Sequence, residues 1–248
     1  MGNARVISLN GGSRHPGADH EVYERFLKWE QEVYGPVSMR VPQRRQVDIY
    51  QIVRESPLFP SNLPIFHYEN YAGWKEARKN PEAISVSNDN ANWIKREIYD
   101  YSWSAVYQLV KSYRSEGSNP EEQPDTRIEN APFLHLEACR FTAEDSEKYN
   151  KWFVDYCSNI FIPLFMKQHG LQGYDYFKYI GVSVMHNIFE TEYPTYFSAI
   201  YFENMKDFEN FEKSNELEVC KKTLRDIFPR GLKYEWYVQY QLVRSYKK

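Results

Sequence analysis

The chain has 248 residues, with 31 Lys and Arg against 34 Asp and Glu, for a net charge of −3. Hydrophobic residues make up 42% and charged residues 26%, which excludes global disorder. The slightly acidic balance excludes a nucleic-acid or anionic-membrane binder that works by bulk charge.

In chain order, Arg5–Asn10 reads as a strand and Asp19–Tyr34 as a helix. Gln46–Val53 and Leu63–Tyr68 read as strands. Tyr71–Tyr99 reads as a helix interrupted near Ser85–Asp89, and Tyr101–Tyr113 as a strand. Ser115–Asp125 is polar and acidic, with two prolines and no apolar period, so it reads as a linker. Phe133–Phe141 alternates like a strand. Thr142–Gly170 reads as an amphipathic helix, with an Asp145 start signal, a bend before Pro163 and a Gly170 stop. Tyr174–Ile180 and Tyr196–Phe202 read as strands, Asp207–Ile227 as a helix, and Lys233–Val243 as the last strand.

Aromatic residues reach 17%, and 21 of them are Tyr, so many side chains join an apolar body to a polar tip. The three cysteines, Cys139, Cys157 and Cys220, form no Cys-x-x-Cys, so a reducing compartment is the simpler expectation. Met1–Asn10 has no apolar signal core, and Gly2 is followed by Val6 where a myristoylation signal needs Ser or Thr. No apolar run is long enough to span a bilayer. The expectation is a cytoplasmic protein.

The two halves repeat each other. Tyr101–Tyr113 reads against Tyr234–Tyr246 with Tyr, Trp, Tyr, Gln, Leu, Val, Ser and Tyr in common. Glu69-Asn70 reads against Glu203-Asn204, and Asp48-Ile49-Tyr50 against Asp175-Tyr176-Phe177. Tyr23, Phe26, Pro36 and Met39 read against Tyr149, Trp152, Pro163 and Met166. Four blocks in one order argue for duplication, and so long a period means duplicated domains. The expected division is 1–114, a linker at 115–130, and 131–248.

Each half has the order strand, helix, strand, strand, helix, strand, which is the split βαβ or ferredoxin-like unit. Its helices cover one face of a four-stranded antiparallel sheet. Two such units can bury their bare faces against each other as a closed α+β barrel. The sequence thus resembles the dimeric α+β barrel superfamily in a fused, tandem, pseudo-dimeric form. Trp152-Phe153, Ile162-Pro163, His169-Gly170 and Tyr179 resemble the first-helix region of EthD-like proteins. The polyketide-cyclase and antibiotic-monooxygenase-like barrels are similar in element order. No haem-ligand signature is apparent.

Strand alternation assigns faces. Phe66, Tyr68, Ile200 and Phe202 should pack under the helices. Ile65, His67, Ala199 and Tyr201 should then face the barrel lumen. In the last strands Trp103, Ala105, Tyr107 and Leu109 form the apolar set, as do Trp236, Val238, Tyr240 and Leu242. The polar alternates, which include Tyr237 and Gln239, should face the lumen. Leu134, Leu136 and Ala138 look helix-packed, which sends His135 and Glu137 to the lumen.

These assignments put polar groups into an aromatic-walled cavity, as small-molecule pockets require. His135, His67 and Glu137 are the catalytic candidates, because a carboxylate beside an imidazole orients it and raises its basicity. Tyr201, Tyr237, Gln239 and His186 are the substrate-binding candidates, His186 at the mouth. Each has a structural alternative: a core histidine bonded to backbone, a Glu137–Arg140 pair, a solvated His186. No dinucleotide fingerprint, phosphate-binding loop, His-Glu-x-x-His or Gly-x-Ser-x-Gly occurs. No metal and no cofactor is expected. RNA-recognition modules share the element order, but the strands Ile65–Tyr68 and Ala199–Phe202 lack their basic-aromatic signature.

The resemblance implies a cofactor-independent enzyme doing proton-transfer chemistry on a small, hydrophobic, oxygenated molecule. Cyclisation, dehydration, isomerisation and O₂-dependent oxidation all fit. The alternative is a non-catalytic binding protein with the same fold. Self-association is compatible with either and is not needed to close the barrel.

Overall fold

The structure is a computed structural model and describes residues 4–114, 131–141, 146–182, 193–227 and 232–248. It begins with β1 (Val6–Arg14), α1 (His20–Trp29), a π turn (Glu30–Tyr34) and α2 (Gly35–Ser38). Next come β2 (Arg44–Ile52), β3 (Asn62–Tyr68), α3 (Tyr71–Ala77), α4 (Pro81–Lys95) and β4 (Tyr99–Arg114). The second half follows with β5 (Phe133–Phe141), α5 (Ser146–Tyr156), a π turn (Cys157–Phe161) and α6 (Ile162–Phe165). It ends with β6 (Leu171–Val182), β7 (Tyr196–Phe202), α7 (Met205–Glu212), α8 (Asn215–Ile227) and β8 (Leu232–Lys247). No helix among the described residues is long and apolar enough to cross a membrane.

Local chemistry sets these boundaries. Asp19 caps α1 by accepting from the Val22 N–H at 3.1 Å. The two π turns have one cause. Gly35 donates back to the Glu30 carbonyl, and Ile162 to that of Cys157. The next residues, Pro36 and Pro163, have no N–H, and their rings crowd the carbonyl four residues earlier. A wider turn before each proline relieves that clash.

Two helix expectations need correction. The break in the helix expected over Tyr71–Tyr99 falls at Arg78–Asn80, and Ser85–Asp89 is helical. Asn80 caps α4 through the Glu82 N–H, and Pro81 fits the first helical position, where no N–H is needed. The helix expected over Asp207–Ile227 is two helices. Ser214 starts the second by accepting from the Leu217 N–H at 3.2 Å. The Thr142–Asp145 start signal lies outside the described residues.

The strand-pairing order is β1-β3-β2-β8-β5-β7-β6-β4 and closes on itself as a barrel. The described pairings are antiparallel. The chain divides into two compact units. Unit 1 comprises Met1–Leu109, Tyr179–Tyr193 and Tyr240–Lys248, and unit 2 comprises Val110–Lys178 and Pro194–Gln239.

In unit 1 the helix-covered face of the sheet presents Val6, Val47, Ile49, Phe66, Tyr68 and Val106 to Trp74, Ala77 and Val86. In unit 2 that face presents Phe133, Tyr174, Tyr176, Ile200 and Phe202 to Phe161, Phe165, Phe208, Phe211 and Leu224. Burying each of the Val, Ile, Leu and Phe side chains among these contributes about 1.5–3 kcal/mol before entropy is counted.

Gly170 closes α6. Its φ of +75 suits a residue with no Cβ, and its carbonyl accepts from the Glu203 N–H at 3.0 Å. A Cβ there would land on the Asp207 carboxylate, which Asn204 Nδ2 already holds at 2.7 Å. Gly170→Ala should therefore lower the unfolding free energy by about 2–3 kcal/mol, read as a lower urea midpoint at unchanged m.

Candidate active site

β5 presents Phe133, His135 and Glu137 on one face. Phe133 and His135 both pack on Phe208 of α7, at 5.4 and 4.9 Å between ring centroids. Tyr237 of β8 meets the His135 ring edge-on at 4.5 Å, and its hydroxyl donates to Glu212 Oε1 of α7 at 2.6 Å. His135, Glu137, Tyr237 and Gln239 therefore sit on the helix-covered face, opposite to the assignment made from polarity. The reason is that both faces of β5 are buried: Leu134 and Leu136 are as inaccessible as His135. Apolar character marks the covered face of a strand only when the other face is wet.

The structure does bring these four residues together. Gln239 Nε2 lies 3.1 Å from His135 Nδ1 and donates to it. That bond fixes the neutral imidazole with its proton on Nε2. Nε2 points towards Glu137 Oε2 at 3.7 Å, too long for a hydrogen bond. Burial, then the bond to Glu212, pushes the Tyr237 phenol far above its ordinary range, so it stays protonated.

Glu137 pairs across the sheet with Ser198 of β7. Both border a cavity of about 10 Å³ between this sheet and the helices, room for a single water. Phe153, Phe161, Tyr174, Tyr176 and Tyr196 form much of its wall. Glu137 is its one carboxylate. The Tyr174 and Ser198 hydroxyls are hydrogen-bonded to each other beside it. Cys157 lies below, and burial, with the Glu137 charge second, pushes its thiol well up, which leaves it unreactive.

His67 and Tyr201 lie on the opposite face of their strands, as alternation predicts, and each meets an aspartate that sequence reasoning passed over. In unit 1, Asp48 accepts from His67 Nε2 at 2.9 Å, Ser245 Oγ at 2.6 Å and Gln46 Nε2 at 2.8 Å. Burial alone would raise the Asp48 carboxyl, but its hydrogen bonds and the His67 charge outweigh that and hold it below the ordinary range. In unit 2, Asp175 accepts from Ser112 Oγ at 2.5 Å, Arg114 at 2.8 Å and the Tyr201 hydroxyl at 3.3 Å. The signal was present: the repeat aligns Asp48 with Asp175 and Ser112 with Ser245, and each serine bonds the aspartate of the other half. His186 lies outside the described residues.

Among the described residues no group of three or more His, Cys, Asp and Glu is placed to hold a metal ion. No protein-family profile matches the chain, and no curated protein sequence matches it. Solved structures do share the fold. A candidate monooxygenase of Fusobacterium nucleatum superposes with a TM-score of 0.63 at 8% identity, over 100% of this chain and 96% of the other. An anthrone oxidase-like protein gives 0.64 at 7%, over 100% and 94%. A heme-binding protein of Thermus thermophilus gives 0.52 at 9%, over 97% and 92%.

Neither this cavity nor His135, His67 and His169 fit a haem. The helix-side cavity of unit 2 holds about 10 Å³ and has no histidine in its lining. His135 is wholly buried against protein rings, His67 is bound to Asp48, and His169 is exposed to solvent.

Proposed function

We propose that the protein is an enzyme of the oxidase or monooxygenase type that works by proton transfer, without a metal or organic cofactor. Its substrate is a small apolar molecule with an acidic C–H or O–H next to a carbonyl or phenol. The observation that carries this reading is the placement of Glu137, as the one carboxylate, on an aromatic-walled cavity, backed by His135 and Gln239.

Glu137 takes the proton. The Ser198 and Tyr174 hydroxyls face the oxygen on which negative charge develops. His135 is a positioning residue: Gln239 holds its Nε2–H on the side of Glu137, 3.7 Å from the carboxylate, where it acts through its dipole and makes no hydrogen bond. Dioxygen is the oxidant. The substrate carbanion bonds to it, and loss of water from the hydroperoxide leaves a carbonyl, so that CH₂ and O₂ become C=O and H₂O. A ring-sized substrate needs Phe153 and Tyr196 to swing out of the cavity.

His67 and Tyr201 belong instead to the aspartate clamps. The same reading takes the chain as two tandem ferredoxin-like repeats, 1–114 and 131–248, of the EthD-like and antibiotic-monooxygenase kind. The sequence repeat supports it, as do the matching runs β4-β1-β3-β2 and β8-β5-β7-β6 in the pairing order.

Anthrone is the first probe, taken from the name of the similar oxidase-like protein. Oxygen uptake with this and related phenols should be catalysed by the purified protein and abolished by Glu137→Gln. A probe that binds but is returned unchanged would favour a binding protein and overturn the enzymatic reading.

A further inference from the structure

Arg44 opens β2 in unit 1 and is 8% exposed. Its Nε donates to the Tyr68 hydroxyl at 3.2 Å, and its Nη1 to the Ser38 carbonyl at 3.4 Å. The guanidinium lies over the Phe66 ring, 4.6 Å from the centroid. None of these partners is an anion, although a cation so nearly buried usually has one. Among the described residues no carboxylate pairs with Arg44, and Glu69 pairs with its neighbour Arg45.

A second cation is fixed beside it. The Val41 carbonyl accepts from the Arg44 N–H at 3.1 Å and from Lys248 Nζ at 2.6 Å. The Lys248 backbone N–H is itself bonded to the Arg45 carbonyl at 3.2 Å. Among the described residues Lys248 has no carboxylate partner either. Burial, then the Arg45 and Arg44 charges, pulls its ammonium below the ordinary lysine range. Ser38 is 0% exposed, and its hydroxyl has no hydrogen-bond partner among the described residues.

The fold does not require a polar corner at this place, because unit 2 builds the same corner from apolar residues. Ser38 ends α2, Arg44 begins β2 and Tyr68 ends β3. Phe165, Leu171 and Phe202 hold the corresponding places in α6, β6 and β7. Arg44 pairs with Tyr68, and Leu171 with Phe202, each next to a register shift. Phe165, Leu171 and Phe202 are buried together in one apolar cluster. Such a trio packs the corner with no charge to compensate, so packing alone does not account for Arg44.

We propose that this corner of unit 1 is a binding site for a phosphate-type oxyanion, held between the Arg44 guanidinium and the Lys248 ammonium. The ligand supplies the negative charge that the corner lacks. The side-on fork with which an arginine grips a flat carboxylate uses Nε, and Tyr68 occupies it. What remains is Nη2 and the point charge of a lysine, which suit the spread oxygens of a phosphate group.

The test is amide NMR of the whole chain titrated with inorganic phosphate at constant ionic strength. Saturable shifts should centre on residues 38–46 and 248. Arg44→Leu, which places the side chain of the unit 2 corner here, should weaken binding by about tenfold or more. Lys248→Ala should weaken it by about threefold, as an exposed charge does. Lys79→Ala, which removes an exposed lysine paired with Glu76, should leave it unchanged. A second titration uses phenyl phosphate. Tighter binding than inorganic phosphate supports the site with a phosphomonoester as its ligand, and equal binding supports it with free phosphate. Shifts that never saturate, or an affinity unchanged in Arg44→Leu, overturn the proposal. If Arg44→Leu does not fold, unchanged affinity in Lys248→Ala overturns it.

Discussion

In an Asp175→Ala variant the unfolding free energy should fall by about 3–5 kcal/mol, among the largest single losses the fold allows. Asp175 is 1% exposed and accepts from Ser112, Arg114 and Tyr201. Removing it takes the carboxylate away from a nearly buried guanidinium, whose side chain is 12% exposed, and from the two hydroxyls that donate to it. Urea unfolding of Asp175→Ala, Asp175→Asn and Ser112→Ala reads this out. Asparagine keeps an acceptor but loses the charge, so it should fall between the other two. A loss below about 1 kcal/mol in the alanine variant would mean that the cluster is solvated and not a clamp.

The corresponding Asp48 cluster should show itself through pH. Its carboxyl is held low in the folded state. Its stabilisation is therefore complete above the ordinary carboxylate range and is lost as pH falls through the lowered folded value. Asp48→Asn should remove that acid limb from a plot of melting temperature against pH.

For Glu137→Gln the expected result is a fall in turnover of about 10²–10⁴-fold with probe affinity changed little, because glutamine keeps the shape but cannot take a proton. His135→Gln and Gln239→Leu act through Glu137 and should give smaller losses, with the fall in kcat larger than any change in KM and a displaced pH–rate profile. A glutamine variant as active as the natural protein would remove Glu137 from the chemistry.

The order of strands and helices was legible because it depends on local periodicity. The faces of β5 and β8 were not. Phe133 and Leu134 are both buried, so alternating polarity there distinguishes two interiors and not inside from outside. The same four polar residues, His135, Glu137, Tyr237 and Gln239, nevertheless converge, because a face shared on each strand survives inversion of the whole face. The aspartate clamps were missed for a related reason. Asp48 and Asp175 sit at matching positions in the sequence, but a single carboxylate on an apolar strand does not say which side chains it will meet.

Proton abstraction by Glu137 on the helix-covered side of unit 2 has a direct readout. It is tested most directly by incubating the anthrone probe with the protein in deuterated buffer without oxygen, and following loss of the acidic C–H signal by NMR. The natural protein should speed this exchange well above the buffer rate, and Glu137→Gln should not. Exchange at the buffer rate with a probe shown to be bound, or equal acceleration by the variant, would contradict it.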